Sequence, residues 1–336
     1  AALVLAAVLL GTSGVAGALW DSVQSTAPLT ITLLRIGFAI PFLLLITAIA
    51  GRSEARPDGS SQSVANTARS RTPWRLIGAL GTAFAASQSM FFEAIPLAGV
   101  TLVVIISLCS TVLFVALLSI PMFGERLNGR GLLAVALALA GTVTLALAGE
   151  AGQAGQAGQA APSLAETPNY LWGLLAALGS GVGLAAYMLL AKLATKRSDM
   201  PRSRLLAWTL AVALVMLVPL ATISGGVQLD LAPGAWGLAL YVGVVATGLA
   251  YWLLQVGLQS SSATVASVVT LLEPAVAGLL AWLLLGESLT ALQLGGAALL
   301  LGSVVLLTWP TAEANLPLVR VGEAREAREA REDGYG

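Results

Sequence analysis

The sequence predicts an all-α integral membrane protein: ten transmembrane helices, built as two inverted five-helix repeats around a central cavity. Three observations predict it. The chain is 57% hydrophobic and 10% charged, where soluble domains are about one quarter charged. Ten apolar runs each approach the length of about 20 residues needed to cross a bilayer core of about 30 Å. And all but one of the 17 Lys and Arg fall in segments that would lie on one side of the membrane.

The runs of the first half are Ala2–Trp20, Leu29–Ala50, Trp74–Phe92, Val100–Phe123 and Gly131–Gly149. Val15-Ala16-Gly17-Ala18 has the small-residue character of a signal-peptide cleavage site. That run lacks a basic n-region and is long enough to span, so it is read as a helix. The second half supplies Tyr170–Ala191, Leu205–Ser224, Gly234–Gly257, Ala263–Leu285 and Ala291–Trp309. Trp20, Trp74, Trp172, Trp236 and Trp309 stand at run ends, where amphipathic rings sit at the membrane–water interface.

Loop charge orients the runs. Arg52, Arg56, Arg69, Arg71 and Arg75 lie between runs 2 and 3, Arg126 and Arg130 between 4 and 5. Lys192, Lys196, Arg197, Arg202 and Arg204 lie between runs 6 and 7, and Arg320, Arg325, Arg328 and Arg331 in the tail. Basic residues near membrane segments are retained in the cytoplasm, which places both termini there and predicts a multi-pass protein of the bacterial inner membrane.

The halves repeat. Phe123-Gly124-Glu125-Arg126-Leu127 ends the fourth run and Leu285-Gly286-Glu287-Ser288-Leu289 the ninth, an offset of 162 residues that also superposes the neighbouring apolar runs. Each half holds an odd number of spans, so the second is inverted relative to the first. The arginine-rich 2–3 loop accordingly corresponds to a 7–8 loop with only Asp230, and the basic 6–7 loop to Asp21–Ala27, which has no basic residue. The division is residues 1–150, an extracytoplasmic linker at 151–168 built on AGQAGQAGQA, a second repeat at 169–310, and a charged cytoplasmic tail at 311–336. Gly- and Gln-rich repeats make flexible linkers. The tail's three-residue Glu-Ala-Arg unit cannot form a sharp apolar stripe, so it is read as a solvated extension. Inverted repeats typify carriers whose site opens alternately to either side.

In each half a glycine-containing first helix, an apolar run ending in Gly-Glu-x-Leu and a Gly-rich last helix resemble the EamA repeat of the drug/metabolite transporter superfamily. Ala94–Leu147 and Val256–Leu307 carry the likeness most clearly, with Pro28 followed by Arg35 in the second run. The resemblance implies helices 1, 3, 4, 6, 8 and 9 around a cavity, with 5 and 10 peripheral. Among members, amino-acid exporters of the YddG type are similar in architecture.

Ionisable groups at membrane depth are costly and face a cavity or a partner. Glu273 is the one carboxylate deep within a run. It has two readings: a site for proton coupling or a substrate ammonium, and a cap for backbone groups freed by Pro274. Arg35, about seven residues inside its run and ~10 Å below the outer surface, either snorkels, pairs with Asp21, or meets a substrate carboxylate. Candidate cavity residues are Gln88 and Phe91 on run 3, Ser110 and Thr111 on run 4, and Tyr187 on run 6. Run 8 adds Tyr251, Trp252 and Gln255, in a Thr247–Tyr251–Gln255 series at i, i+4, i+8. Hydroxylated residues also serve as helix-packing glue. Glu125 and Glu287, kept in both copies, suit a turn-forming or gating role.

The chain has no His and one Cys, Cys109, which removes His-based catalysis, an internal disulfide and most transition-metal sites. Gly11-Thr12-Ser13-Gly14 matches an intramembrane-protease motif, but the serine lacks a base. Neither Walker loops nor Asp-rich motifs occur. No enzyme, cofactor or nucleic-acid partner is expected. No basic cluster suits a polyanion, so the predicted cargo is a neutral or zwitterionic small molecule such as an amino acid, exported by alternating access as a monomer or homodimer, with protons as a candidate coupling ion. The alternative cargo is an aromatic cation or drug.

Overall fold

The computed structural model describes residues 1–24, 26–54, 74–125, 128–157, 169–197, 200–223, 226–285 and 290–308, and among them it is helical with no strand. The helices are α1 (Ala2–Val23), α2 (Pro28–Glu54), α3 (Trp74–Ala98), α4 (Val100–Phe123), α5 (Gly129–Ala157), α6 (Tyr170–Arg197) and α7 (Arg202–Ile223). They continue with α8 (Pro233–Gly243), a π-helical segment Val244–Leu249, α9 (Ala250–Ser260), α10 (Ala263–Thr270), α11 (Leu272–Leu285) and α12 (Ala291–Thr308). Six of the described helices are long and apolar enough to cross a membrane: Pro28–Ile49, Leu102–Phe123, Tyr170–Arg197, Arg202–Ile223, Pro233–Ser260 and Ala263–Leu284. Ala2–Gly17, Gly129–Leu145 and Ala291–Leu307 are shorter apolar helices.

Three local features differ from straight runs, each for a chemical reason. α4 stops because Gly124 takes a left-handed conformation, φ 69°, the usual closure of a helix by glycine. The eighth run passes through the π segment, in which each turn takes up an extra residue. The straight spacing of Thr247, Tyr251 and Gln255 therefore does not carry across it. The ninth run breaks between Thr270 and Leu272, because Pro274 has no amide for the Thr270 carbonyl four residues back, and its ring crowds that oxygen. α5 continues to Ala157, into the Ala-Gly-Gln repeat expected as linker. The rest of that linker, Glu287 of the second Gly-Glu copy, and the charged tail lie outside the described residues.

The halves interleave. α1 packs on α9 and α11 of the second half, while α6 packs on α3 and α4 of the first. α5 and α12 pair with each other. Lipid tails are as apolar as the side chains, so close packing of small residues takes over from the hydrophobic effect in holding such helices together. At Gly141 an added Cβ would lie 2.8 Å from the Gly296 carbonyl oxygen, so α5 and α12 touch backbone to backbone. At Gly11 a Cβ would lie 2.7 Å from Val276 Cβ and 2.8 Å from the Glu273 carbonyl oxygen, so α1 seats directly against the break in the ninth run. Gly11→Leu is therefore expected to cost about 1–3 kcal/mol through overpacking, read as a lowered Tm of the detergent-purified protein. Gly17→Leu, where nothing lies within 4 Å of an added Cβ, should leave Tm unchanged.

Candidate functional site

The break at Thr270–Leu272 sets the site. It places Glu273 in the first turn of α11, where unbonded amides and the positive end of the helix dipole favour a carboxylate. Glu273 lines a small cavity of about 40 Å³, room for a few water molecules. Tyr251 of α9, Thr111 of α4, and Ser267 and Thr270 of α10 supply its other polar walls. The remainder is apolar, including Leu10 of α1, Leu108 and Val112 of α4, and Leu184 and Met188 of α6. Both halves of the chain thus contribute.

Arg35 turns inward. Its guanidinium Nη2 donates to Gln88 Oε1 of α3, and its Nε is buried without a hydrogen-bond partner. It lies within electrostatic range of Tyr251 and Glu273 but closes no ion pair with the Glu273 carboxylate. Phe84, Tyr187 and Tyr251 form a triangle of edge-to-face rings with centroids 5.4–5.9 Å apart, a preferred aromatic geometry. This triangle fixes the orientation of the Tyr251 ring. Tyr187 Oη and Gln255 Nε2 are buried, their side chains close to one another but closing no hydrogen bond of normal geometry.

The sequence-selected residues therefore separate. Thr111, Tyr251 and Glu273 line the cavity. Arg35 and Gln88 form a polar pair beside it, and Tyr187 and Gln255 lie buried next to Tyr251's ring cluster. Ser110 Oγ bonds back to the Ser107 carbonyl at 3.1 Å, on the face where α4 meets Gly181. Ser107 Oγ reaches the Ala177 carbonyl at 3.0 Å and Thr111 Oγ1 the Gly181 carbonyl at 3.1 Å, so these hydroxyls stitch α4 to α6. Phe91 packs on Phe92, centroids 5.6 Å apart, in a cluster with Ala94, Ala98 and Ala177. Trp252 packs, half-buried, against the main core. Ser267 and Thr270 were not selected from the sequence. The available signal was Thr270's position four residues before Pro274, which marks it as the residue whose turn opens.

The family model for the EamA-like transporter family matches residues 1–147 and again 171–309. An uncharacterized transporter, YwfM, of Bacillus subtilis (strain 168) is 30% identical over 253 residues, 72% of this chain and 77% of that protein. An uncharacterized transporter of Archaeoglobus fulgidus is 28% identical over 311 residues, 92% of this chain and 95% of that one. A solved crystal structure superposes with a TM-score of 0.72 at 20% identity, covering 91% of this chain and 95% of the other, which shows a shared fold.

Proposed function

Because the chain belongs to the EamA-like transporter family, and is thus a multi-pass membrane transporter built from two copies of that repeat, we propose that it exports amino acids or similarly small zwitterionic metabolites by alternating access. We place it in the bacterial inner membrane with both termini cytoplasmic, on the strength of its loop charges. The observation that carries the reading is the cavity shared between the halves, with Glu273 on a mostly apolar wall and the Arg35 guanidinium within electrostatic range of it. A carboxylate with a nearby guanidinium presents no net charge. It therefore suits a cargo carrying both signs, with the apolar wall taking an aliphatic or aromatic side chain. A polyanion would find a single cation, held by Gln88. Protons are the candidate coupling ion, with Glu273 as their carrier.

One observation favours a second reading. Of the two charges, Glu273 alone lines the cavity, which suits an aromatic cation. A thermal-shift screen of the purified protein separates the two. Neutral amino acids should raise Tm at millimolar concentration while their decarboxylated amines do not. The reverse order would establish the cation exporter and overturn the amino-acid reading.

A further inference from the structure

The connection between α9 and α10 is gripped at both helix ends by charges from elsewhere in the fold. Lys192 of α6, 7% exposed, donates from Nζ to the Leu258 carbonyl at 2.6 Å and to the Ser261 carbonyl, at the C-terminal end of α9. Glu125, one residue past the glycine that closes α4, accepts from the amides of Ala263 at 2.8 Å and Thr264 at 3.4 Å, and from Thr264 Oγ1 at 3.2 Å. Those are the first residues of α10. A cation at the carbonyl end of one helix and an anion at the amide end of the next both complement the helix dipoles. Ser119 Oγ of α4 adds a contact of 3.1 Å to Thr264 Oγ1. The Lys196 ammonium lies 5.1 Å from the centre of the Phe123 ring.

These contacts lie between the cavity and the basic end of the bundle. Thr264 is one turn, ~4.5 Å, before the cavity residue Ser267, and Ser119 is ~12 Å beyond the cavity residue Thr111. On the α10 and α4 side the contact is dry, with Ser119 and Ala263 0% exposed and Thr264 3%, while Glu125 itself is half-buried. At the other end of the bundle, the α1–α2 and α7–α8 connections meet through neutral amides: Gln24 on Asp230 and Ala232, and Gln228 on Ala27. Charged grips hold one end and neutral ones the other.

We propose that Glu125 is a gate latch. Its carboxylate holds α10 of the second half to α4 of the first, keeps the cavity shut at the basic end, and releases α10 when that end opens. The inference rests on the carrier reading, but its test needs no substrate. In a Cys109→Ser background, Thr270→Cys serves as a cavity reporter for a membrane-impermeant maleimide, in vesicles exposing the basic end and in vesicles exposing the opposite one. Glu125→Ala should speed labelling from the basic end at least about tenfold, as the loss of charge-assisted bonds shifts the two-state balance, and slow it from the other. Unchanged rates from both ends overturn the latch. If Glu125→Ala does not fold, the isosteric Thr264→Val, which loses only the hydroxyl bonds, should speed basic-end labelling about threefold; an unchanged rate there overturns it equally. Accelerated labelling in a protein that moves no amino acid supports the latch and contradicts only the substrate.

Discussion

Glu273→Gln is expected to lower amino-acid transport driven by a pH gradient by more than about tenfold in a protein that still folds. Glutamine keeps the shape of the side chain and one oxygen able to accept backbone N–H bonds at the start of α11, so a purely capping role survives the change. It cannot carry a proton or attract a substrate ammonium. A charge-assisted bond to that ammonium contributes about 1.5–3 kcal/mol, or about 10–100-fold in affinity. Transport in proteoliposomes, with and without an imposed pH gradient, separates the roles. Loss of gradient response with retained exchange assigns proton coupling. Loss of both assigns substrate binding. A folded variant with unaltered transport and gradient response leaves Glu273 structural.

Arg35→Met should be the most destabilising change within the site. Methionine fills similar space but removes the donor to Gln88 and the cation within electrostatic range of Glu273. Leaving a buried carboxylate without a nearby counter-charge is destabilising. The signature is non-additivity: adding Glu273→Gln to Arg35→Met removes the uncompensated carboxylate, so the double variant should be more stable than Arg35→Met alone. Thermal unfolding of the four proteins checks this. Additive losses would show that Arg35 serves Gln88 and not the Glu273 charge.

The apolar runs and the Gly-Glu motif made the helical architecture and the repeat legible, because both express strong local constraints: the length needed to cross a bilayer, and a glycine needed where α4 closes. Glu273 and Arg35 stood out for the same kind of reason, since a charge in hydrocarbon demands a partner. What a linear reading does not supply is which partner. Arg35 meets Gln88 across 53 residues of sequence, where the partner the sequence suggests is Asp21. The π segment Val244–Leu249 contains no proline and shows no break in hydrophobicity. It begins where α2 comes close: an added Cβ at Gly243, the residue before it, would lie 2.9 Å from the Arg35 carbonyl oxygen. Hydroxyl groups were the least legible. Ser110 reads like lining, yet it bonds the Ser107 carbonyl of its own helix, whereas Ser267 and Thr270 reach the cavity wall because the helix breaks beside them.

The central claim is that a carrier for zwitterionic metabolites binds its cargo between two inverted halves, and counterflow tests it most directly. Purified protein in liposomes loaded with an unlabelled neutral amino acid should transiently concentrate the labelled amino acid added outside, without any ion gradient. The effect should saturate and should vanish on adding excess unlabelled amino acid outside. Linear, non-saturating entry with no overshoot, for every amino acid tried, would contradict the account.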